Sequence, residues 1–181
     1  DLGGERRGQG LDLTLAGACP DWIHPNADQA GYYRWTLPRA ALLALVRDHR
    51  AALTPAERIG LVGQLEAQLE AGLLPVDVYL TALTAVAADE HRIVVDHLVA
   101  ALARLHRVAV DPAQQVNYAA VVRRLLRPHL ERLAEVDDPD APVDAALLRP
   151  KLEDALIWLG DDEGLTARAE ALADRFLADP E

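Results

Sequence analysis

The stretch LTPAERIGLVGQLEAQLEAG, residues 53 to 72, has the beginning, the apolar face and the end of a single α-helix. Thr54 and Glu57 form a capping box: the threonine hydroxyl can accept the Glu57 amide, and the Glu57 carboxylate can reach back to the cap. Pro55 occupies the first helical position, and Gly72 stands where glycine commonly ends a helix. The apolar stripe has a spacing of four and consists of Leu61, Leu65 and Leu69.

The helical pattern continues from Pro38 to the C-terminal region, with short loops between the periodic segments. Short loops make neighbouring helices antiparallel, and no repeat of fixed period is present. The predicted fold class is therefore mainly α, an irregular antiparallel stack of helical hairpins resembling a HEAT-like superhelix. Predicted helices cover roughly residues 39–52, 54–72, 76–87, a segment from Asp89, a segment from Asp111-Pro112, 143–159 and 163–178.

Single residues predict where these later helices begin or break. Asp89 is expected to cap the fourth helix. Pro128 should kink or break the fifth helix, and Pro150 should interrupt the sixth, because proline removes a hydrogen bond to the i−4 carbonyl. VDDPDAP, residues 136 to 142, is the clearest interhelical loop. The predicted stripes are Val94, Leu98, Leu102 and Leu105; Val122, Leu126, Leu130 and Leu133; and Leu165, Ala169, Leu172 and Phe176.

The N-terminal part has a different pattern. Four of the eight aromatic residues lie in WIHPNADQAGYYRWTLP, residues 22 to 38. Alternation of apolar and polar residues from Leu11 to Leu15, and the aromatic run from Tyr32 to Leu37, predict two or three antiparallel strands between residues 11 and 37. A hairpin of this size needs a surface to pack on. Gly31 is expected either to adopt a conformation open mainly to glycine or to pack closely against an aromatic ring.

Composition excludes several classes of function. The net charge is −11, with 29 acidic and 18 basic residues, which argues against nucleic acid and anionic membrane surfaces as partners. No apolar run approaches the ~18 residues of a membrane span, and no signal peptide is visible. The chain begins at Asp1 and lacks methionine, so we expect an excised piece of a longer polypeptide. The single cysteine, Cys19, fits a reducing compartment, and the expected location is the cytoplasm.

Residue chemistry assigns no catalytic, cofactor-binding or metal-ligating residue. Serine is absent, and Cys19 lies in the strand-like region without an evident activating partner. The acid and histidine cluster of Glu90, His91, Asp96 and His97 has its histidines six apart, about 240° around a helix, where a zinc hydrolase helix needs i and i+4. A salt-bridged surface helix explains this cluster better, and an independent metal hydrolase using it is the least favoured hypothesis.

Three further charged groups have an ordinary and a functional interpretation. The acids at 161–163 fit the start of a helix, and those at 137–140 lack the ligand spacing of a calcium loop. Arg123, Arg124, Arg127 and Arg132 form a basic helix face. The ordinary interpretation is a solvated face paired with acids, and the functional one is a carboxylate-binding patch. The sequence does not decide between them.

The aromatic stretch and two helical stretches resemble a known family. PNADQAGYYRWTL resembles the end of the β-sandwich in zinc aminopeptidases of the alanyl-aminopeptidase family, with Asn26, Gly31, Tyr32, Tyr33 and Arg34 matching its motif. Residues 53–72 resemble the next family landmark, where Arg58, Leu61 and Gly72 fit, and residues 148–180 resemble a later helix pair. The similarity covers most of the chain after about residue 11.

This resemblance implies a domain division and a function. Residues 1–38 would be the terminal strands of a β-sandwich, and residues 39–181 part of the α-helical C-terminal domain. That domain, related to the one in endoplasmic-reticulum aminopeptidases, would shape peptide access and stabilise the catalytic domain of the same polypeptide. The catalytic motifs are absent here, so no cofactor is expected in this segment, zinc is expected in the parent's catalytic domain, and the isolated chain should be inactive. The alternative hypothesis is a stand-alone helical scaffold that binds protein partners.

Overall fold

A computed structural model of the chain describes residues 18, 20–133 and 143–178, and the described residues form seven α-helices. Short 3₁₀ turns precede α1, follow it, and precede α5, at Ala27–Gln29, Arg50–Ala52 and Pro112–Gln114. The helices are α1 (Arg39–Asp48), α2 (Pro55–Glu70), α3 (Val76–Val86), α4 (Arg92–Ala109), α5 (Gln115–Arg132), α6 (Val143–Trp158) and α7 (Glu163–Ala178).

The helices pack both on their sequence neighbours and on alternate helices. Helix α4 packs against α2 and α6, so these three form one row, while α1 packs against α3 and α5 packs against α6. Helix α7 packs against α6. Short connections with such alternate contacts are typical of stacked helical hairpins. The mainly α class is confirmed, and the superhelical twist of the stack stays a prediction.

The core lies between these helices and consists mainly of leucine and valine. In α2, Leu61 and Leu65 are fully buried, as the stripe predicts. Burying one such side chain stabilises the fold by about 1.5–3 kcal/mol. The whole predicted stripe of α4 is also buried: Val94, Leu98, Leu102 and Leu105.

Helix α2 begins and ends at the residues that its sequence predicts. The Glu57 amide donates to the Thr54 hydroxyl at 3.3 Å, and the Thr54 amide donates to Oε2 of Glu57 at 2.7 Å. At the other end, Gly72 has φ of 69°, and the amide of Leu73 donates to the Gln68 carbonyl at 2.9 Å. The capping box and the terminal glycine are both confirmed.

The predicted β-hairpin is wrong for the residues that can be checked, 18 and 20–37, which contain no strand. Local side-chain bonds take the backbone groups that a strand ladder would use. Oδ1 of Asn26 accepts the Gly31 amide at 2.8 Å, and Nδ2 of Asn26 donates to the Gly31 carbonyl at 3.0 Å. Positive φ values at Asp28 and Gln29 close this turn. Residues 11–17 and 19, on which the rest of the prediction falls, lie outside the described residues.

Gly31 packs closely against an aromatic ring, which confirms the second of its two predicted roles. A Cβ atom added to Gly31 would lie 1.9 Å from Cε1 and 2.6 Å from Cδ1 of Tyr33. The Tyr33 ring is held there because its hydroxyl donates to the Pro25 carbonyl at 2.5 Å. Glycine is therefore required by space at this position.

The predicted cap at Asp89 is wrong. Helix α4 begins at Arg92 with His91 at the cap position, and no side chain caps it. Asp89 accepts the His91 amide at 2.9 Å, outside the helix, and its second oxygen binds two arginines. Attraction to these two buried guanidinium groups determines the direction in which the Asp89 carboxylate points.

The predicted break at Pro128 and the predicted interruption at Pro150 are wrong, because α5 continues through Pro128 and α6 continues through Pro150. A kink at Pro128, the other predicted outcome, stays a prediction. Proline removes one backbone hydrogen bond from each helix. Buried residues on both sides hold each helix against the core across the missing bond: Leu126 and Leu130 in α5, and Leu148 and Leu152 in α6. The predicted loop at 136–142 lies outside the described residues.

Helix α7 forms at the predicted residues, 163–178, but none of its residues is buried. Leu165 packs partly against the core, whereas Leu172 and Phe176 of the same stripe are exposed. The C-terminal half of α7 therefore presents an apolar face to solvent.

The capping box gives a direct stability prediction. Thr54→Ala should lower the free energy of unfolding by about 1 kcal/mol, because the Glu57 amide loses its acceptor. Thr84→Ala is the matched control, since the exposed Thr84 hydroxyl bonds only the Leu80 carbonyl within its own helix. Chemical denaturation of both variants measures the difference. Equal stability of the two variants would show that the cap contributes nothing.

Close packing of Gly31 gives a second prediction. Gly31→Val should destabilise the chain by about 1 kcal/mol or more, because the new side chain displaces the Tyr33 ring and breaks its bond to Pro25. In a Tyr33→Ala background the same change should cost much less. A double-mutant cycle by denaturation measures this coupling. An unchanged cost without the ring would contradict the steric explanation.

Candidate functional site

The candidate site is the aromatic segment, defined as residues 22–37, together with the face of α2 on which it lies. Glu57 of α2 joins the two parts. Its Oε1 accepts the Asp28 amide of the segment at 2.9 Å, and its Oε2 accepts the Thr54 hydroxyl at 3.0 Å as well as the Thr54 amide. These backbone amides, that of Asp28 first, hold the pKa of Glu57 below its usual range, so it binds the segment as a carboxylate.

His24 lies beside this carboxylate in a closed environment. Only 4% of its side chain is exposed, and its Nδ1 lies 3.6 Å from Oε1 of Glu57. The Trp35 ring packs edge-on against the imidazole, with a centroid distance of 5.7 Å. Burial lowers the pKa of His24, and the Glu57 charge opposes this shift without cancelling it.

Tryptophans, not tyrosines, fix the segment to the helices. Trp22 stacks on His49 with ring centroids 5.4 Å apart, and both Trp22 and Trp35 pack against the core. The Trp35 carbonyl accepts side-chain amides from two buried residues of α2, Gln64 and Gln68. These glutamines are polar residues on the buried side of a helix, and the backbone of the segment accepts the hydrogen bonds that their side-chain amides donate.

A groove of about 570 Å³ lies between the segment and α2. Its walls include Tyr32, Arg34 and Trp35 from the segment, with His97 from α4. Glycine makes room for it on α2, since a Cβ added at Gly63 would meet nothing within 4 Å. Motif residues of the sequence resemblance therefore line a real concavity.

The acid and histidine cluster does not converge. Glu90 pairs with Arg132 at 2.7 Å, and Asp96 pairs with Lys151 at 2.6 Å. Nδ1 of His97 bonds the Ile93 carbonyl of its own helix at 2.9 Å. Among the described residues, no group of three or more histidines, cysteines or acids is placed to hold a metal ion.

The arginine face is largely occupied by neighbouring groups. Arg127 pairs with Asp162, Arg132 pairs with Glu90, and Arg123 donates to the Gly160 carbonyl. Arg124 is exposed, and no described residue pairs with it. The ordinary interpretation, a surface whose arginines pair with neighbouring groups, thus fits most of this face. The four guanidinium groups are not all open to bind carboxylates.

The acids at 161–163 mark a helix start, as the ordinary interpretation has it. Oδ1 of Asp162 accepts the Leu165 amide at 3.2 Å, which caps α7, and Oδ2 binds Arg127. Asp161 has φ of 47° in the turn before the helix. The other acidic group, 137–140, lies outside the described residues.

Sequence reasoning missed a buried ion cluster around Asp89. Its carboxylate lies 3.0 Å from Nη1 of Arg50 and 2.6 Å from Nε of Arg58, and all three side chains are at least four-fifths buried. Arg58 also donates to the Leu53 carbonyl at 2.6 Å. The partners are separated by 31 and 39 residues along the chain, so no local spacing could reveal them.

None of the described helices is long and apolar enough to cross a lipid bilayer.

Comparison with known proteins shows a family match. The family model described as the ERAP1-like C-terminal domain matches residues 22–181, from the aromatic segment through α7. Neither the curated proteins nor the solved structures gave a match. The match begins at Trp22, the first residue that anchors the segment to the helices, and it covers most of the chain. The chain belongs to the family of ERAP1-like C-terminal domains.

Proposed function

We propose that the chain is the non-catalytic C-terminal part of a zinc aminopeptidase, where it stabilises the catalytic domain and shapes the access of peptides. The family supports an origin in an aminopeptidase. The structural observation that carries the proposed role is the exposed side of the aromatic segment. Exposed rings and open backbone give this side of the segment the character of a docking surface.

This surface combines exposed rings with open backbone. Tyr32 is fully exposed, and Tyr33 and Ile23 are each 54% exposed. No described residue hydrogen-bonds the backbone of Tyr32, Arg34 or Thr36. Tyrosine is enriched in protein interfaces, and open backbone can pair with an added strand. The β-sandwich that the sequence resemblance implies before the helical domain would offer both an apolar surface and such a strand.

The groove beside this surface supports the part of the proposal that concerns peptides. Aromatic faces from the segment and the exposed guanidinium of Arg34 line it. Aromatic walls accept apolar side chains, and a guanidinium accepts carbonyl or carboxylate oxygens. A peptide held here would lie between the helical domain and the catalytic domain docked on the segment.

Tyr32 provides the test of docking in the full polypeptide that contains this chain. Tyr32→Ala removes a side chain without contacts inside the domain, so a loss of stability reports a contact with the catalytic domain. A loss of ~1 kcal/mol corresponds to a drop of roughly 2–4 °C in melting temperature for a domain of this size.

Val108→Ala is the matched control, because Val108 is an exposed apolar residue of α4, away from the segment. Melting is followed by calorimetry, and hydrolysis is compared between a dipeptide reporter and a longer peptide. Tyr32→Ala should change the ratio of the two rates, and Val108→Ala should not. Identical behaviour of the two variants would argue against docking through the segment.

A stand-alone helical scaffold is the second candidate, and the exposed face of α7 favours it. Leu172, Phe176 and Leu177 are all at least half exposed, and Trp158 at the end of α6 is 72% exposed. An apolar face of this kind fits a protein partner. A His-Glu-x-x-His motif upstream in the same polypeptide favours the aminopeptidase, and its absence favours the scaffold.

Metal analysis tests the least favoured hypothesis, an independent metal hydrolase. The purified chain should hold no stoichiometric zinc after dialysis and release no N-terminal amino acid from an aminoacyl reporter, with or without added zinc. Catalytic zinc needs about three protein ligands, and the partners of Glu90, Asp96 and His97 draw these side chains apart. One equivalent of tightly held zinc, or zinc-dependent turnover, would overturn the proposed function.

The expected cytoplasmic location is part of the same proposal, and fluorescence microscopy of the tagged full polypeptide tests it.

A further inference from the structure

His24 is a buried titratable side chain that the proposed function does not use. Its side chain is 4% exposed, and neither ring nitrogen has a hydrogen-bond partner. It lies at the point where the aromatic segment meets α2, between the Trp35 ring and the Glu57 carboxylate. A neutral imidazole can lie in this site, but no neighbouring group accepts a hydrogen bond from an N–H at Nε2.

Protonation of His24 would place a cation in this closed site. The nearest acceptor, Oε1 of Glu57, is 3.6 Å from Nδ1, beyond hydrogen-bond distance, and it already accepts the Asp28 amide. Attraction to Glu57 offsets only part of the cost of removing an imidazolium from water. Release of the segment would return the charged ring to solvent.

Few other charged groups face His24. Glu57 is the ionised group from α2, and Asp28 presents its backbone amide to that carboxylate. Trp35 contributes an uncharged ring edge. His49 also touches the segment, through its stack on Trp22, but a protonated His49 can keep this stack as a cation–π contact. His24 is therefore the group whose protonation conflicts with docking.

We propose that His24 is a pH-sensitive latch, whose protonation releases the aromatic segment from α2 while the helices stay folded. The Glu57 contacts that hold the segment belong to residues 24–28, whereas the α2 capping box needs only Thr54 and Glu57. The segment can thus leave without removing the helix cap. The inference concerns the chain alone and does not depend on the proposed function.

The direction of the pH effect follows from the lowered pKa of the docked His24. A released His24 has an ordinary pKa near 6.5, so the released form binds a proton more readily than the docked form. Docking of the aromatic segment is therefore strongest above pH 6.5. It weakens as the pH falls below 6.5 towards the lowered pKa of the docked His24. The pKa of Glu57 is itself lowered, so this group stays ionised through the upper part of that window.

The test uses Trp35 as a local reporter in the 181-residue chain. Trp22→Phe and Trp158→Phe leave Trp35 as the one remaining tryptophan. Emission and acrylamide quenching are followed from about pH 7.5 to pH 5, with circular dichroism as the measure of helix. The expected result is a red shift and at least a twofold rise in the quenching constant below pH 6.5, at constant helicity.

His24→Phe is the decisive variant, because it keeps a ring against Trp35 and cannot titrate; its quenching should stay low across the whole range. His97→Gln, which replaces an exposed histidine of the groove, and His49→Gln should both keep the transition. His24→Gln is a second non-titrating variant, should the phenylalanine not fold.

Two readouts can overturn the latch. A transition that persists in the His24 variants, or no transition in the parent, contradicts it. The imidazole pKa of His24, measured by nuclear magnetic resonance, gives an independent check, and a value above 6.5 also contradicts it. A simultaneous loss of helicity would assign the acid effect to His129 instead, since this buried residue of α5 also has a lowered pKa, caused first by burial.

Discussion

The Glu57 carboxylate is the constraint on which the arrangement of this chain depends. One oxygen completes the cap of α2, and the other accepts a backbone amide from the aromatic segment. A single buried charge therefore fixes both where the helix begins and where the preceding segment lies. Loss of either set of donors would leave a buried carboxylate partly unsatisfied, which is costly. The two parts of the chain are coupled through this group.

A second buried carboxylate, that of Asp89, fixes the position of two further connections between helices. It binds Arg50 from the turn after α1 and Arg58 from α2, and it lies in the connection between α3 and α4. Buried ion clusters contribute little net stability compared with apolar packing, but they penalise any arrangement that separates the charges. Glu57 and Asp89 thus specify how the irregular connections sit on a core that leucines alone would leave less strictly ordered.

The sequence predicts what local chemistry controls. Thr54, Glu57 and Gly72 could be assigned from their spacing, because a cap and its partner lie within a few residues of each other. The strand prediction failed at Asn26, whose side chain takes the backbone groups of Gly31, and at Trp35, whose carbonyl is bonded from α2. Polar partners 29 and 33 residues away along the chain carry no local signal. The same applies to the pairing of Asp89, which left its assignment as a helix cap wrong.

Helix α7 has a consequence for local unfolding. It buries none of its residues and packs on α6, so its 16 residues have little tertiary support. Isolated helices of this length are marginal in water. In this chain α7 should therefore open and close as a separate unit, with amide hydrogens that exchange well before those of α2 and α4. A partner that binds the exposed face of α7 would hold this helix in its folded form. Such binding would therefore be measured as protection of the α7 amides from hydrogen exchange and of the α7 backbone from proteases.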